Sequence, residues 1–386
     1  MTFEPSRMTR GLVSGLNSDP LGAVIPPIYL STNYGFEFPG DAPDYDYVRA
    51  GNPTRRSLEE ALATLEAGAG CTTTASGMAA VTLVVETFVP VGGRVIAPHD
   101  CYGGTWRLLQ RLADKGRLQL DLVDLTDLDT ARAALATPAA LVWVETPSNP
   151  LMRLTDIAAI AAARPEGALL VVDNTFCSPA LQRPIEHGAD LVVHSTTKFV
   201  NGHSDSLGGA VIAASPEHAE ELATWCNTLG LPGAAFDAWL TLRGLRTLDA
   251  RMRVHEENAA AVVAALVAHP AVTAVHHPSL PEHPGHELAA RQQSGFGSVL
   301  SFEIAGGLPA VTAFAKALQV FTLAESLGGT ESLAAHPATM THASMPPQIQ
   351  AAAGITDGLV RLSVGLEQPE DLVADLLEAL DATTAG

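Results

Sequence analysis

ALLVVDNTFCSPALQRPIEHGADLVVHSTTK, residues 168–198, holds two short apolar runs, each ending beside a side chain with chemistry. The first, ALLVVDNT (168–175), reaches Asp173 near its end. The second, ADLVVHS (189–195), is followed by Lys198, three residues after Ser195. Neither run alternates apolar with polar residues, so each suits a strand covered on both faces, as in a parallel sheet flanked by helices. The same signature recurs outward from this stretch. VGGRVIAP (91–98), LQLDLVDL (118–125), ALVWVET (140–146) and GGAVIAA (208–214) are short, β-branched and bounded by Gly, Pro or Asp. They alternate with helical segments from about Cys71 to Ala214, which predicts an α/β fold with a mostly parallel central sheet.

The flanking regions read differently. Residues 1–60 carry Pro26-Pro27, turn residues and the aromatic Tyr45-Asp46-Tyr47, but no sustained apolar period. They predict an extended arm that lies on another surface, followed by a helix from Thr54 with Leu58, Leu62 and Leu65 on one face. A long helical stretch, about 216–268, leads out of the sheet region. Beyond Pro270, AVTAVHHP, GSVLSFEI and QVFTLAES interleave with helices near 308–318 and 370–382. The expected division is an arm over 1–60, a cofactor-sized α/β domain over 61–250 and a smaller α+β domain over 251–386.

Composition narrows the partners. Of 386 residues 47% are hydrophobic and 17% charged, enough to build large cores. The net charge of −20, from 42 acidic against 22 basic residues, repels nucleic acid and anionic membranes, leaving small-molecule substrates as the expected partners. Cys71, Cys101, Cys177 and Cys226 show no C-x-x-C spacing, and the N-terminus has no secretory h-region, so a reduced, cytoplasmic protein is expected. No H-E-x-x-H is present, and no metal is expected.

The chain has only three lysines. Lys115 and Lys316 read as solvated. Lys198 follows the carboxyl end of a buried strand, the edge where open α/β sheets bind ligands, and a lysine in low dielectric there becomes a nucleophile or Schiff-base former. Asp173 falls at the same edge, 25 residues earlier. It suits the acid that keeps a pyridine nitrogen protonated in pyridoxal 5′-phosphate (PLP) chemistry, although an Asp at a strand end also caps helices. Ser76-Gly77-Met78 opens a helix after a threonine-rich turn and could receive a phosphate on backbone N–H groups, or be an ordinary helix start. Ser195 and Thr197 add hydroxyls. Ser195-x-x-Lys198 also spells the penicillin-binding S-x-x-K, but no K-T-G accompanies it. Gly68-Ala69-Gly70 begins a dinucleotide pattern that Thr73 breaks.

Many stretches, in order along the whole chain, carry a resemblance. They include PPIYLSTNY, YVRAGNPTRRSLE, TASGMAA, HDCYGGTWRL, VETPSNPL, VVDNTF, ADLVVHSTTKFVNGHSD, LAESLGGTESLAAHPATMTHA and VRLSVGLE. The chain resembles the Cys/Met-metabolism family of PLP enzymes, the trans-sulfuration enzymes, and within it the bacterial cystathionine γ-synthase branch. The resemblance implies fold type I of the PLP-dependent transferases (aspartate aminotransferase-like) and a homotetramer of catalytic dimers. It implies that Lys198 holds PLP and shuttles protons, that Asp173 pairs with the ring nitrogen, and that Tyr102 stacks on the ring and helps deprotonate the amine. Gly77, Met78, Ser195 and Thr197 would hold the phosphate, and Tyr47 and Arg49 would reach the phosphate of a neighbouring subunit. Arg361 would take the substrate α-carboxylate, Asn149 would sit near the ring and substrate, and Ser326 near Lys198. Glu325 resembles the γ-acting members, Arg107 would greet a distal carboxylate, and Asp46 would orient a second substrate. The implied reaction is γ-replacement of an O-acylhomoserine, the succinyl ester first, by cysteine. γ-Elimination of cystathionine comes next, then sulfhydrylation. The sequence departs at Ala50, where close relatives of this type often carry a second arginine.

Overall fold

The computed structural model describes residues 4–16, 19–343 and 345–383. Its first sheet has seven strands: β1 (Gly70–Thr74), β2 (Gly93–Pro98), β3 (Leu118–Val123), β4 (Leu141–Glu145), β5 (Leu169–Asp173), β6 (Leu191–His194) and β7 (Gly209–Ala213). Their spatial order is β1-β7-β6-β5-β4-β2-β3. The strands from β6 to β3 pair in parallel, as the sequence predicts. β7 instead runs antiparallel to both β6 and β1. A parallel return needs a crossover, usually helical, and residues 195–208 contain no helix.

Both faces of this sheet are covered, which explains the unbroken apolar runs. In β4, Leu141 and Trp143 face Leu83 and Val84 of the helix Gly77–Phe88. Val142 and Val144 face Leu135, Ile157 and Ile160 on the opposite side. Period-2 alternation therefore buries every residue of the strand.

Five strands form the second sheet: β8 (Val272–His276), β9 (Val299–Ile304), β10 (Thr322–Leu323), β11 (Leu333–Ala335) and β12 (Leu359–Ser363), in the order β10-β11-β12-β9-β8. Val262 and Leu266 of the helix Leu248–Ala268, Phe314 and Leu376 pack on its Phe302 and Leu362.

Three expectations change. The long helical stretch is three helices, Pro216–Leu229, Ala235–Leu245 and Leu248–Ala268, because Gly230 turns left-handed and Pro232 follows. The threonine-rich turn is β1, paired along its whole length with β7. The arm is not wholly extended: Ser6 caps a helix over Arg7–Val13, whose buried Gly11 sits where a Cβ would come 2.6 Å from the Leu65 side chain. The helix after the arm begins at Pro53, with Asn52 accepting from the Thr54 and Arg55 N–H groups. Among the described residues no helix is long and apolar enough to cross a membrane.

One buried carboxylate holds the approach to β10. Asp375 accepts from the backbone N–H groups of Gln319 (2.7 Å), Val320 (2.9 Å) and Phe321 (2.9 Å). Asp375→Ala strands three donors and is expected to lower stability by about 3 kcal/mol, read from the urea midpoint at constant m-value. A loss below about 0.5 kcal/mol would show that water satisfies those groups instead.

Candidate active site

Five strand ends converge at one edge of the first sheet. β1 leads into Ser76 and Gly77, β2 into Tyr102, β4 ends at Glu145 and runs on to Asn149, β5 ends at Asp173, and β6 leads into Ser195, Thr197 and Lys198. The second sheet supplies Arg361 from β12, and the loop after β10 supplies Glu325 and Ser326. Together they line a cavity of about 260 Å³.

At one end the helix Gly77–Phe88 points its N-terminus inward, capped by Ser76 Oγ, which accepts from Ala79 N (3.1 Å). A Cβ on Gly77 would lie 2.8 Å from Ser195 Cβ, so glycine is required for the two strand ends to meet. Ser195 N donates to Thr175 Oγ1 (2.9 Å), and Thr175 N donates to Asp173 Oδ1 (3.0 Å). Thr197 Oγ1 donates to Gly208 O and accepts from Gly208 N. This end thus offers an N-terminal helix dipole and hydroxyls, the donor set for a phosphate. The cavity-lining residues include two side-chain cations, Lys198 and Arg361.

Lys198 Nζ donates to Ser326 Oγ (2.7 Å). Burial first, then the Arg361 charge, lowers its pKa to about 8, against the opposing pull of Glu325. Arg361, 3% exposed, donates from Nη2 to Ser326 O (2.7 Å) and from Nη1 to Asn149 Oδ1 (3.2 Å). Its Nε is buried with no hydrogen-bond partner. A guanidinium in the cavity lining fits a carboxylate ligand.

Asp173 and Glu145 occupy paired register positions on β5 and β4. Burial raises both; for Asp173 the hydrogen bonds from Thr175 and the nearby His194 oppose the rise, and Glu145 is pushed up to about 8, chiefly by burial and then by Asp173. A buried carboxylate of this kind suits a cationic ring nitrogen. Tyr102, 43% exposed, lines the same cavity beside Met78: a Cβ on Gly104 would come 2.5 Å from the Tyr102 ring and 2.8 Å from Met78 Sδ. The donor set, the Schiff-base-competent lysine and the buried acid all fit PLP.

The site residues expected from sequence divide into two groups. Lys198, Asp173, Tyr102, Gly77, Met78, Ser195, Thr197, Arg361, Asn149, Ser326 and Glu325 share the cavity. Tyr47, Arg49, Asp46 and Arg107 do not line it. Arg49 Nη1 donates to Asn227 O and Oδ1 (2.8 Å each) and lines a separate groove with Arg55 and Phe236. Asp46 and Tyr47 are exposed on the arm, and Arg107 is exposed on the helix Gly103–Asp114. Sequence reasoning passed over Glu145, although ALVWVET places it at a strand end as plainly as ALLVVDNT places Asp173.

A family model described as Cys/Met metabolism PLP-dependent enzyme matches residues 8–381. The chain belongs to this family. Its members depend on PLP, as the cavity's chemistry suggests. Cystathionine gamma-synthase of Escherichia coli K12 is 53% identical over 375 residues, 97% of each chain. A crystal structure of cystathionine gamma synthase from Xanthomonas oryzae pv. oryzae in complex with aminoacrylate and cysteine superposes with a TM-score of 0.98 at 54% identity, covering 99% of this chain and 100% of the other. A cystathionine beta-lyase of Lactococcus lactis subsp. cremoris MG1363 is 44% identical, covering 97% of this chain and 98% of its own.

The lysine environment has a measurable sign. Amine labelling of Lys198 in cofactor-free protein should titrate with a midpoint near pH 8, where a free lysine titrates near 10.5. Arg361→Met should raise that midpoint and Glu325→Gln should lower it, since the first removes a like charge and the second an opposite one. A midpoint unmoved by both changes would leave burial as the sole cause.

Proposed function

We propose that this enzyme is a cystathionine γ-synthase: it exchanges the acyloxy group of an O-acylhomoserine, O-succinylhomoserine first, for the thiol of cysteine. The Cγ–O bond breaks, a Cγ–S bond forms, and the thiol proton leaves with the acid. The observation that carries the reading is Ser326, which accepts Lys198 Nζ on its hydroxyl and Arg361 on its carbonyl, with Glu325 adjacent. A substrate carboxylate paired with Arg361 therefore brings Cα toward the Lys198 amine. The likeness to proteins named cystathionine γ-synthase over nearly the whole chain supports the same reading.

When bound to Lys198, PLP supplies an electron sink that acidifies the substrate's C–H bonds. The protein residues then divide the work. Lys198, with a pKa near neutrality, takes a proton at Cα and later moves protons at Cβ and Cγ. Asp173 would hold the charge at the ring nitrogen, and Tyr102 would stack on the ring and accept a proton from the incoming amine. Ser76, Gly77, Met78, Ser195 and Thr197 would receive the phosphate, Asn149 and Arg361 would fix the carboxylate, and Arg107 and Asp46, outside the cavity lining, would meet the distal part of the substrates.

The phosphate end takes no lysine or arginine from its own lining, apart from Lys198. We assign its cation to Arg49, with Tyr47, from the arm of a second copy, so the working unit is a catalytic dimer within a homotetramer. On this reading 1–60 is the shared arm, 61–250 the PLP-binding domain and 251–386 the smaller domain. All four cysteines are unbridged, in keeping with a cytoplasmic enzyme.

Turnover separates the reactions. Cysteine with O-succinylhomoserine should give cystathionine faster than cystathionine is cleaved, and faster than sulfide replaces the ester; Lys198→Ala should cut the first rate by roughly a thousandfold or more. Cleavage of cystathionine as the dominant reaction would support the elimination reading, which uses the same residues and which the L. lactis relative's name keeps in view. Mixing inactive Lys198→Ala and Arg49→Ala proteins tests the shared site: hybrid dimers should regain partial activity, and no recovery would confine each site to one chain.

A further inference from the structure

Glu145 lies in the cavity wall, yet the reaction above gives it no task. Its Oε2 accepts from the Tyr102 backbone N–H (2.7 Å) and its Oε1 from Trp143 Nε1 (3.1 Å). Both carboxyl oxygens therefore accept from N–H donors, a pattern that an amide at this position, with its own NH2 in place of one oxygen, could not reproduce. Burial and then Asp173 push its pKa up to about 8, so the charge is costly to keep where it stands.

Tyr102 needs an anchor. It begins the helix Gly103–Asp114 without a side-chain capping bond, and the residue is 43% exposed, so packing alone holds it weakly. Gly104 leaves space for the ring, as a Cβ there would overlap it. Space does not fix direction. Direction comes from the backbone, and the Tyr102 backbone is tied to Glu145, which is braced from below by the fully buried Trp143.

We propose that Glu145 is a positioning residue that seats Tyr102, its carboxylate clamping the backbone from which the ring reaches over the cofactor site. The inference rests on the proposed placement of Tyr102 against PLP. It predicts that Glu145 influences PLP chiefly through Tyr102, over and above its electrostatic effect on Asp173.

A double-mutant cycle on the full-length protein, read by equilibrium dialysis against PLP, tests this. Glu145→Ala should weaken PLP binding roughly tenfold in the native background. In a Tyr102→Ala background the same change should weaken it by less than about twofold. Glu145→Gln places an amide N–H against one of the two donors and should also weaken binding. Adding Trp143→Phe removes the competing donor and should restore binding to within about threefold, because the Gln carbonyl can then serve the Tyr102 N–H. Far-UV circular dichroism checks folding, and the Gln/Phe pair carries the test if the Ala variant does not fold. Equal losses in both Tyr102 backgrounds, or no loss at all, would overturn the assignment. Native protein that takes up no PLP, or that borohydride does not label at Lys198, would sink the proposed function itself and this inference with it.

Discussion

One residue ties the two sheets together at the cavity. Ser326 takes a hydrogen bond from Lys198, which follows β6 of the first sheet, and another from Arg361 on β12 of the second. It does so with φ at +85°, a left-handed conformation that costs a non-glycine residue on the order of 1–2 kcal/mol. The flanking chain holds it there. Gly328 N donates to Ser363 Oγ (2.8 Å), and Gly328 packs where a Cβ would come 2.7 Å from the backbone nitrogen of Phe199, the neighbour of Lys198. The loop is thus pinned from both sheets, and Ser326 receives the amine on its hydroxyl and the guanidinium on its carbonyl from a fixed backbone position.

Burial, not overall charge, sets the chemistry of the cavity. A protein with net charge −20 should raise the pKa of its lysines, yet Lys198 is lowered to about 8. Desolvation is the first cause, and the nearby Arg361 cation acts in the same direction, outweighing Glu325. Arg361 itself is lowered to about 10 by burial, with Glu325 and Tyr102 opposing. The same logic runs in reverse for Glu145 and Asp173, whose burial raises them. An amine that is readily neutral, beside a carboxylate pair that resists a second charge, is a poised arrangement for moving protons.

Sequence made the strand runs legible because both faces of the first sheet are buried, leaving nothing polar to blur the pattern. Asp173 and Lys198 were legible because each sits just where such a run stops. β7's direction was not legible, since an apolar run carries no record of parallel or antiparallel pairing; the helix-free connection decides it. The breaks at Gly230 and near Arg246 were hidden by helical periodicity on either side. The arm helix escaped notice because it is only seven residues, Arg7–Val13, and owes its place to Gly11 against Leu65. Glu145 was as legible as Asp173 at its strand end, with Trp143 two residues before it on the same strand face; only its bond to the Tyr102 backbone, 43 residues away, left no trace in the sequence.

The arm poses the last physical question, since it exposes Leu21, Val24, Leu30, Phe36 and Phe38 without a core of its own. Apolar area left in water forfeits about 25 cal/mol per Å², so an arm of this composition gains nothing by standing free. Its Arg49 bonds Asn227 of the helix Pro216–Leu229 and lies 5.7 Å from the Tyr47 ring centroid. The phosphate end of the cavity offers a helix N-terminus and hydroxyls, which place a dianion but do not neutralise it. A cation from outside the chain and a surface that covers the arm would answer both deficits together. The contact that hides the apolar residues would then also deliver Tyr47 and Arg49, so that stability of the assembly and completion of the site rest on the same interface.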